Sequence, residues 1–227
     1  MMKIYLLALI LALPSICVAG QETPKHIRVS VQWIEVPHSI LTELTSGEKK
    51  SGSVIHDAVI ASVKEGKAKI LETGILVVRN GQKVTTESIR EEIYPTEYNP
   101  PGSDGPYSPP VVPRTRGITC FEPRNVGVSI EVEPTLGVGD NLIDLRLAPE
   151  VVAPGRLVTW MEHKDQWGDA SVRMPIYEVW TVTTALTLAN GKFELASVIT
   201  PKATQPAPFV LTKILLFVRA DVVPVNP

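Results

Sequence analysis

The chain has 227 residues, with 22 Lys and Arg against 24 Asp and Glu. That near-neutral balance excludes the basic surplus by which a nucleic-acid binder neutralises phosphates, and the length suits one domain with at most a small extension. The two cysteines, Cys17 and Cys120, fall on either side of an expected cleavage point, so no internal disulfide is expected and Cys120 reads as a passive loop thiol.

Residues 1–20 have the form of a secretory signal peptide. Lys3 gives a positive start, Ile4 to Leu13 form an apolar run, and Cys17-Val18-Ala19 offers a small-residue cleavage site before Gly20 or Gln21. The run is too short for a transmembrane helix. Ile16, before Cys17, is bulkier than lipid attachment at that cysteine would favour. An exported mature chain is expected.

His26 to Val36 alternates Ile27, Val29, Val31 and Trp33 with Arg28, Ser30 and Gln32, the period of a half-buried strand, and Pro37 ends it. Ser39 to Leu44 reads as a helical turn. Thr45 to Ser53 is a polar loop, and Ser53 is the expected cap of a short helix near residues 54–64, with Ile55, Ala58, Val59 and Val63 at helical spacing and Gly66 as its stop. Ile70 to Arg79 and Gln82 to Tyr94 flank Asn80-Gly81, the dipeptide that most strongly signals a hairpin. Residues 99–116 are dense in Pro and Gly and are expected to be an exposed loop.

Arg124 to Val152 then reads as a β-hairpin. Val128, Ile130 and Val132 share a face, as do Ile143, Leu145 and Leu147, with Ser129, Glu131, Glu133, Asp144 and Arg146 on the other. Gly137, Gly139 and Asp140 make the connection. Ala153 to Arg173 is irregular, with Trp160, Met161 and Trp167 among charges. Pro175 to Leu188 and Phe193 to Ile199 form a further strand pair around Asn190-Gly191. Leu211 to Val223 is apolar on both faces and belongs between two layers. The fold class is β-dominated α+β, a set of amphipathic hairpins with one short helix.

The wording of several segments resembles one family. Asn125-Val126-Gly127-Val128-x-Ile130-x-Val132-x-Pro134-x-Leu136, followed by Ile143-Asp144-Leu145-x-Leu147-x-Pro149-Glu150-Val151-Val152, is similar to the core of the secretins, the outer-membrane channel proteins of type II and type III secretion and of type IV pili. Val29, Val31, Ile34, Glu35 and Val36 fit the family's opening strand, Gly66 to Leu71 its helix-to-strand passage, and Asn80-Gly81-Gln82 its turn. Pro175-Ile176, Thr183-Thr184, Leu186 and Leu188, and then Ile214 to Val218, fit its later strands. The match runs through residues 26–223. Glu72-Thr73-Gly74, Ala196 to Ile199 and Arg219-Ala220-Asp221 depart from it. The short segment 201–210 stands where secretins carry a gate-shaping run rich in Pro, Leu, Gly and Phe, and the small periplasmic domains that precede the family's module have no room here.

The resemblance implies an oligomer whose subunits share a barrel, together with other secretion or pilus envelope components. It makes Glu131, Glu133, Asp144 and Arg146 candidate lumen-facing residues and Trp160 and Trp167 candidate membrane-interface residues. No enzyme, cofactor, metal, small-molecule substrate or nucleic acid is expected. His26, His38, His56 and His163 are scattered without ligand spacing, and Gly137-x-Gly139 lacks the strand-to-helix context of a nucleotide loop. A soluble periplasmic structural or adaptor protein that reuses the module without a pore is the reading of a different class.

Overall fold

The computed structural model describes residues 25–98, 118–162, 164–165, 168–169, 171–202 and 211–225. The expected signal peptide, the Pro/Gly-rich loop at 99–116, Trp167, His163 and most of segment 201–210 lie outside the described residues.

In chain order the elements are strand β1 (Lys25–Pro37), helices α1 (His38–Thr45) and α2 (Gly52–Lys64), then strands β2 (Lys69–Arg79), β3 (Val84–Tyr98), β4 (Ile118–Leu136) and β5 (Leu142–Val152). Next come β6 (Arg156–Met161), the two-residue β7 (Lys164–Asp165) and β8 (Gly168–Asp169), β9 (Val172–Ile176), β10 (Val179–Thr181), β11 (Thr184–Ala189), β12 (Phe193–Ile199) and β13 (Thr212–Pro224). All strand pairs are antiparallel. The first sheet has the order β12-β13-β1-β2. The second has the order β5-β4-β3, with β10 and β11 following one another along the free side of β5.

The two sheets pack face to face, and the alternation seen in the sequence supplies the core between them. Ile27, Val29, Val31 and Trp33 of β1 and Ile214, Leu216, Val218 and Ala220 of β13 meet Ile130, Val132, Ile143, Leu145 and Leu147 of the second sheet. Burying each such large side chain contributes about 1.5–3 kcal/mol. The opposite face of the first sheet is covered by the helices. Ile34, Val36, Leu215 and Phe217 pack there on Leu41 of α1 and Ile55 and Val59 of α2. β13 is therefore apolar on both sides because it is covered on both sides, as expected from Leu211 to Val223. Where the helices end, the same face turns polar. Asp221, 9% exposed, lies between Arg28 (Nη2 to Oδ2, 3.2 Å) and Arg219 (Nη2 to Oδ1, 2.6 Å).

Several local expectations change. α2 begins two residues early: its cap is Ser51, which accepts from the Val54 amide, while the Ser53 hydroxyl donates to the Phe193 carbonyl. Its far end closes as expected at Gly66. There the amides of Gly66 and Lys67 return to the carbonyls of Val63 and Ser62, the bond pair of a Schellman motif. Ser39 to Leu44 is a full helix, α1, held partly by Thr42 and Thr45 hydroxyls bonded one turn back. Part of the segment 153–173 is a ladder rather than irregular, with β6 pairing β9.

The largest change concerns the Asn-Gly turns. Neither joins neighbours in one sheet. β2 pairs β1 while β3 pairs β4, and β11 pairs β5 while β12 pairs β13. Only the glycine of each turn has positive φ, +71° at Gly81 and +75° at Gly191. The hairpin turns that match strand twist need positive φ at the first central residue, and turns without it splay their strands. Each Asn-Gly pair is thus a corner at which the chain leaves one sheet for the other. The Arg124 to Val152 stretch does form the expected hairpin, from Gly127↔Val152 to Leu136↔Ile143. It turns through Gly139 and Asp140, whose φ values are +79° and +61°.

Candidate functional site

The outer face of the second sheet gathers the four charged residues singled out in the sequence. Glu131 and Glu133 stand on β4, and Asp144 and Arg146 on β5, all on the side away from the core. Glu133 and Arg146 are direct cross-strand partners with side chains 3.7 Å apart. Glu131 pairs with Lys83 at 2.7 Å. Asp144 accepts from the Thr187 hydroxyl at 2.5 Å.

Two further carboxylates belong to this face. Glu87 on β3 and Glu150 on β5 both oppose Ser129 of β4, one on either side. Ser129 donates to Glu87 at 3.4 Å and Thr181 donates to Glu150 at 3.0 Å. Glu87 had no clear signal in its strand, because β3 is exposed on both faces from Thr85 to Glu91, while Glu150 extends the wet face of β5 beyond Asp144 and Arg146. The face thus carries Glu87, Glu131, Glu133, Asp144 and Glu150 against Lys83 and Arg146, an acidic surface whose charges are solvated or paired. Among the described residues no group of three His, Cys, Asp or Glu is placed to hold a metal ion.

A second surface lies where β3 and β4 run on past the sandwich. Residues 118–126 of β4 pair with β3 alone, and the β6–β9 pair lies beside them. Tyr94 and Tyr177 bring their rings within 5.7 Å, and the Gly155 amide donates to Glu92 at 3.4 Å. This end exposes Ile93, Phe121, Leu157 and Met161. Trp160 stands 65% exposed among them, so it is not a tryptophan pinned in a core. Trp167 lies outside the described residues. Cys120 is exposed opposite Glu97, whose carboxylate, by hydrogen bond and charge, pushes its thiol pKa up and disfavours the reactive thiolate.

No protein-family model matches the chain, and no curated protein matches it. Solved structures similar to it include the InvG secretin domain β-barrel of the Salmonella SPI-1 injectisome, at 13% identity and a TM-score of 0.46 over 90% of this chain and 64% of that one. The type II secretion system secretin GspD of E. coli K12 is similar at 11% identity and a TM-score of 0.39 over 88% of this chain and 49% of that one. The type IV competence pilus secretin PilQ of V. cholerae is similar at 12% identity and a TM-score of 0.37 over 88% and 57%. The chain spans less than two thirds of the length of each. All three are secretins, the family whose motifs the sequence resembles.

Proposed function

We propose that the chain is a secretin-like envelope protein, exported by residues 1–20, that oligomerises side by side and contributes to a protein-export or pilus channel at the outer membrane. The observation that carries this reading is β3. It is fifteen residues long and stands at the edge of its sheet. A long free edge is a template for another chain. A copy that offers its β10–β11 side to this edge makes a head-to-tail contact, which repeats until a ring closes and no edge remains.

In such a ring one face of the second sheet meets water and the other stays dry. Glu131, Glu133, Asp144 and Arg146, with Glu87 and Glu150, then line the lumen. Trp160 and Trp167 serve at the membrane interface, where an aromatic ring has one apolar and one wet side. Among the described residues no helix is long and apolar enough to cross a membrane, which says nothing of crossing by strands. The partners are other copies of the chain and other secretion or pilus components, and the protein acts without enzyme chemistry, cofactor or small-molecule substrate.

One observation favours the second reading, a soluble periplasmic structural or adaptor protein. β3 carries Glu87, Arg90, Glu91 and Glu92 within six residues, and charges on an edge strand blunt pairing. Fractionation of the native envelope followed by sizing in mild detergent separates the two. Ring-sized oligomers in the outer-membrane fraction support the channel, and a monomer confined to the soluble periplasm overturns it.

A further inference from the structure

Each of the two corners that join the sheets is an asparagine followed by a glycine, Asn80-Gly81 and Asn190-Gly191. Asparagine followed by glycine is the pair most prone to spontaneous deamidation. The glycine backbone nitrogen attacks the asparagine side-chain carbonyl carbon, ammonia leaves and a five-membered succinimide closes. Water then opens the ring at either carbonyl to give aspartate or isoaspartate. The net change is asparagine plus water to aspartate or isoaspartate plus ammonia, and no other reactant enters. Glycine imposes no side-chain barrier to the approach, so the reaction runs readily in an unstructured chain.

In the folded chain the glycine nitrogen is engaged elsewhere and the asparagine side chain is tethered. The Gly81 amide donates to the Pro134 carbonyl at 2.9 Å, and Asn80 Oδ1 accepts from the Leu136 amide at 2.8 Å. The Gly191 amide donates to the Ala220 carbonyl at 2.8 Å, and Asn190 Oδ1 accepts from the Val222 amide at 3.1 Å. Asn190 is held further by its Nδ2, which donates to the Asp140 carbonyl at 3.1 Å, and by its own amide, which donates to the Asn141 carbonyl at 2.9 Å. For attack to occur, the glycine nitrogen must leave the carbonyl that holds its proton, and the side chain, tethered at Oδ1, must swing its carbonyl carbon onto that nitrogen, so the corner has to open first.

We propose that Asn80 and Asn190 are self-modification sites held off by the closed corners, and that a chain whose corner opens is converted there and cannot close it again. Aspartate at position 190 loses the donor to Asp140 and sets a carboxylate against a carbonyl oxygen. Isoaspartate adds a backbone carbon and moves the turn out of register. Asn190, with the larger set of bonds, is the slower site.

The test is peptide mass mapping of the full chain, incubated in mildly alkaline buffer and, in parallel, in denaturing urea, with aspartate and isoaspartate at positions 80 and 190 quantified over time. Both sites are expected to convert at least about tenfold more slowly in buffer than in urea, with Asn190 slower than Asn80 in buffer alone. A rate in buffer equal to the rate in urea, at either site, overturns the proposal.

Discussion

His56 lies flat against Phe193, with ring centroids 3.7 Å apart and planes 11° from parallel. Phe217 meets the same imidazole edge-on at 5.1 Å, and Gln32 Oε1 is 2.9 Å from its Nε2. The ring fills the seam between α2 and the first sheet and is 7% exposed. Burial holds its pKa below the usual histidine value and Arg219 adds to this, while the Asp57 carboxylate, 3.6 Å from Nδ1, pulls the other way.

That shift fixes a pH dependence. Below the unfolded value of about 6.5 and down to the lower folded value, the unfolded chain binds more protons than the folded one. The contribution of neutral His56 is therefore complete above that window and is lost as pH falls through it. The thermal midpoint of the wild-type chain minus that of His56→Gln should shrink on acidification through this range. A difference that grows would contradict the account.

Gly127 stands on β4 at the point where β5 ends. Its φ is +135°, and a Cβ there would stand 2.1 Å from the Ser88 carbonyl oxygen. Backbone strain and a clash with backbone act together, so Gly127→Ala should destabilise by about 3 kcal/mol or more. Urea unfolding checks this as a lower midpoint at unchanged slope.

Two ion pairs should respond differently to mutation. Asp221 is nearly buried between Arg28 and Arg219. Asp221→Ala removes the nearly buried carboxylate that both half-exposed guanidinium groups share, and a loss of about 1–2 kcal/mol is expected, since water can take over part of their hydrogen bonding. Arg146 is exposed and 3.7 Å from Glu133, so Arg146→Ala should cost no more than about 1 kcal/mol. Equal costs in urea unfolding would refute the distinction between a nearly buried carboxylate at Asp221 and a solvated pair at Arg146.

The wet face offers a test of role rather than stability. The double variant Glu131→Gln/Glu133→Gln should change stability by no more than about 0.5 kcal/mol, since both side chains sit on a solvated surface. In a ring lined by these residues it should lower cation preference in planar-bilayer conductance. Unchanged ion preference would remove these residues from the lumen.

Much of this arrangement was legible in the sequence. Period-two alternation assigned Ile27 to Trp33, Val128 to Val132 and Ile143 to Leu147 to inner faces, and β13 announced its two covered sides by being apolar on both. Alternation says which way a side chain points and not which strand lies beside it, so the pairing of β1 with β13, from opposite ends of the chain, left no local trace. Asn80-Gly81 and Asn190-Gly191 named turns correctly. The sign of φ at each asparagine, which sends the next strand to the other sheet, is set by the packing of both sheets. The helix cap moved from Ser53 to Ser51 because the Phe193 carbonyl, distant in sequence, takes the Ser53 hydroxyl. Glu87 was missed at the face because β3 has no dry side along that stretch to set a contrast, whereas Glu150 continues the β5 alternation of Asp144 and Arg146 past Ala148 and was legible there.

The central claim is that copies of this chain join edge to edge around a lumen. Negative-stain imaging of the species extracted from the outer membrane in mild detergent addresses it most directly. The account predicts closed rings with a stain-filled centre. Particles of a single copy or a small compact oligomer, without a central opening, would contradict it.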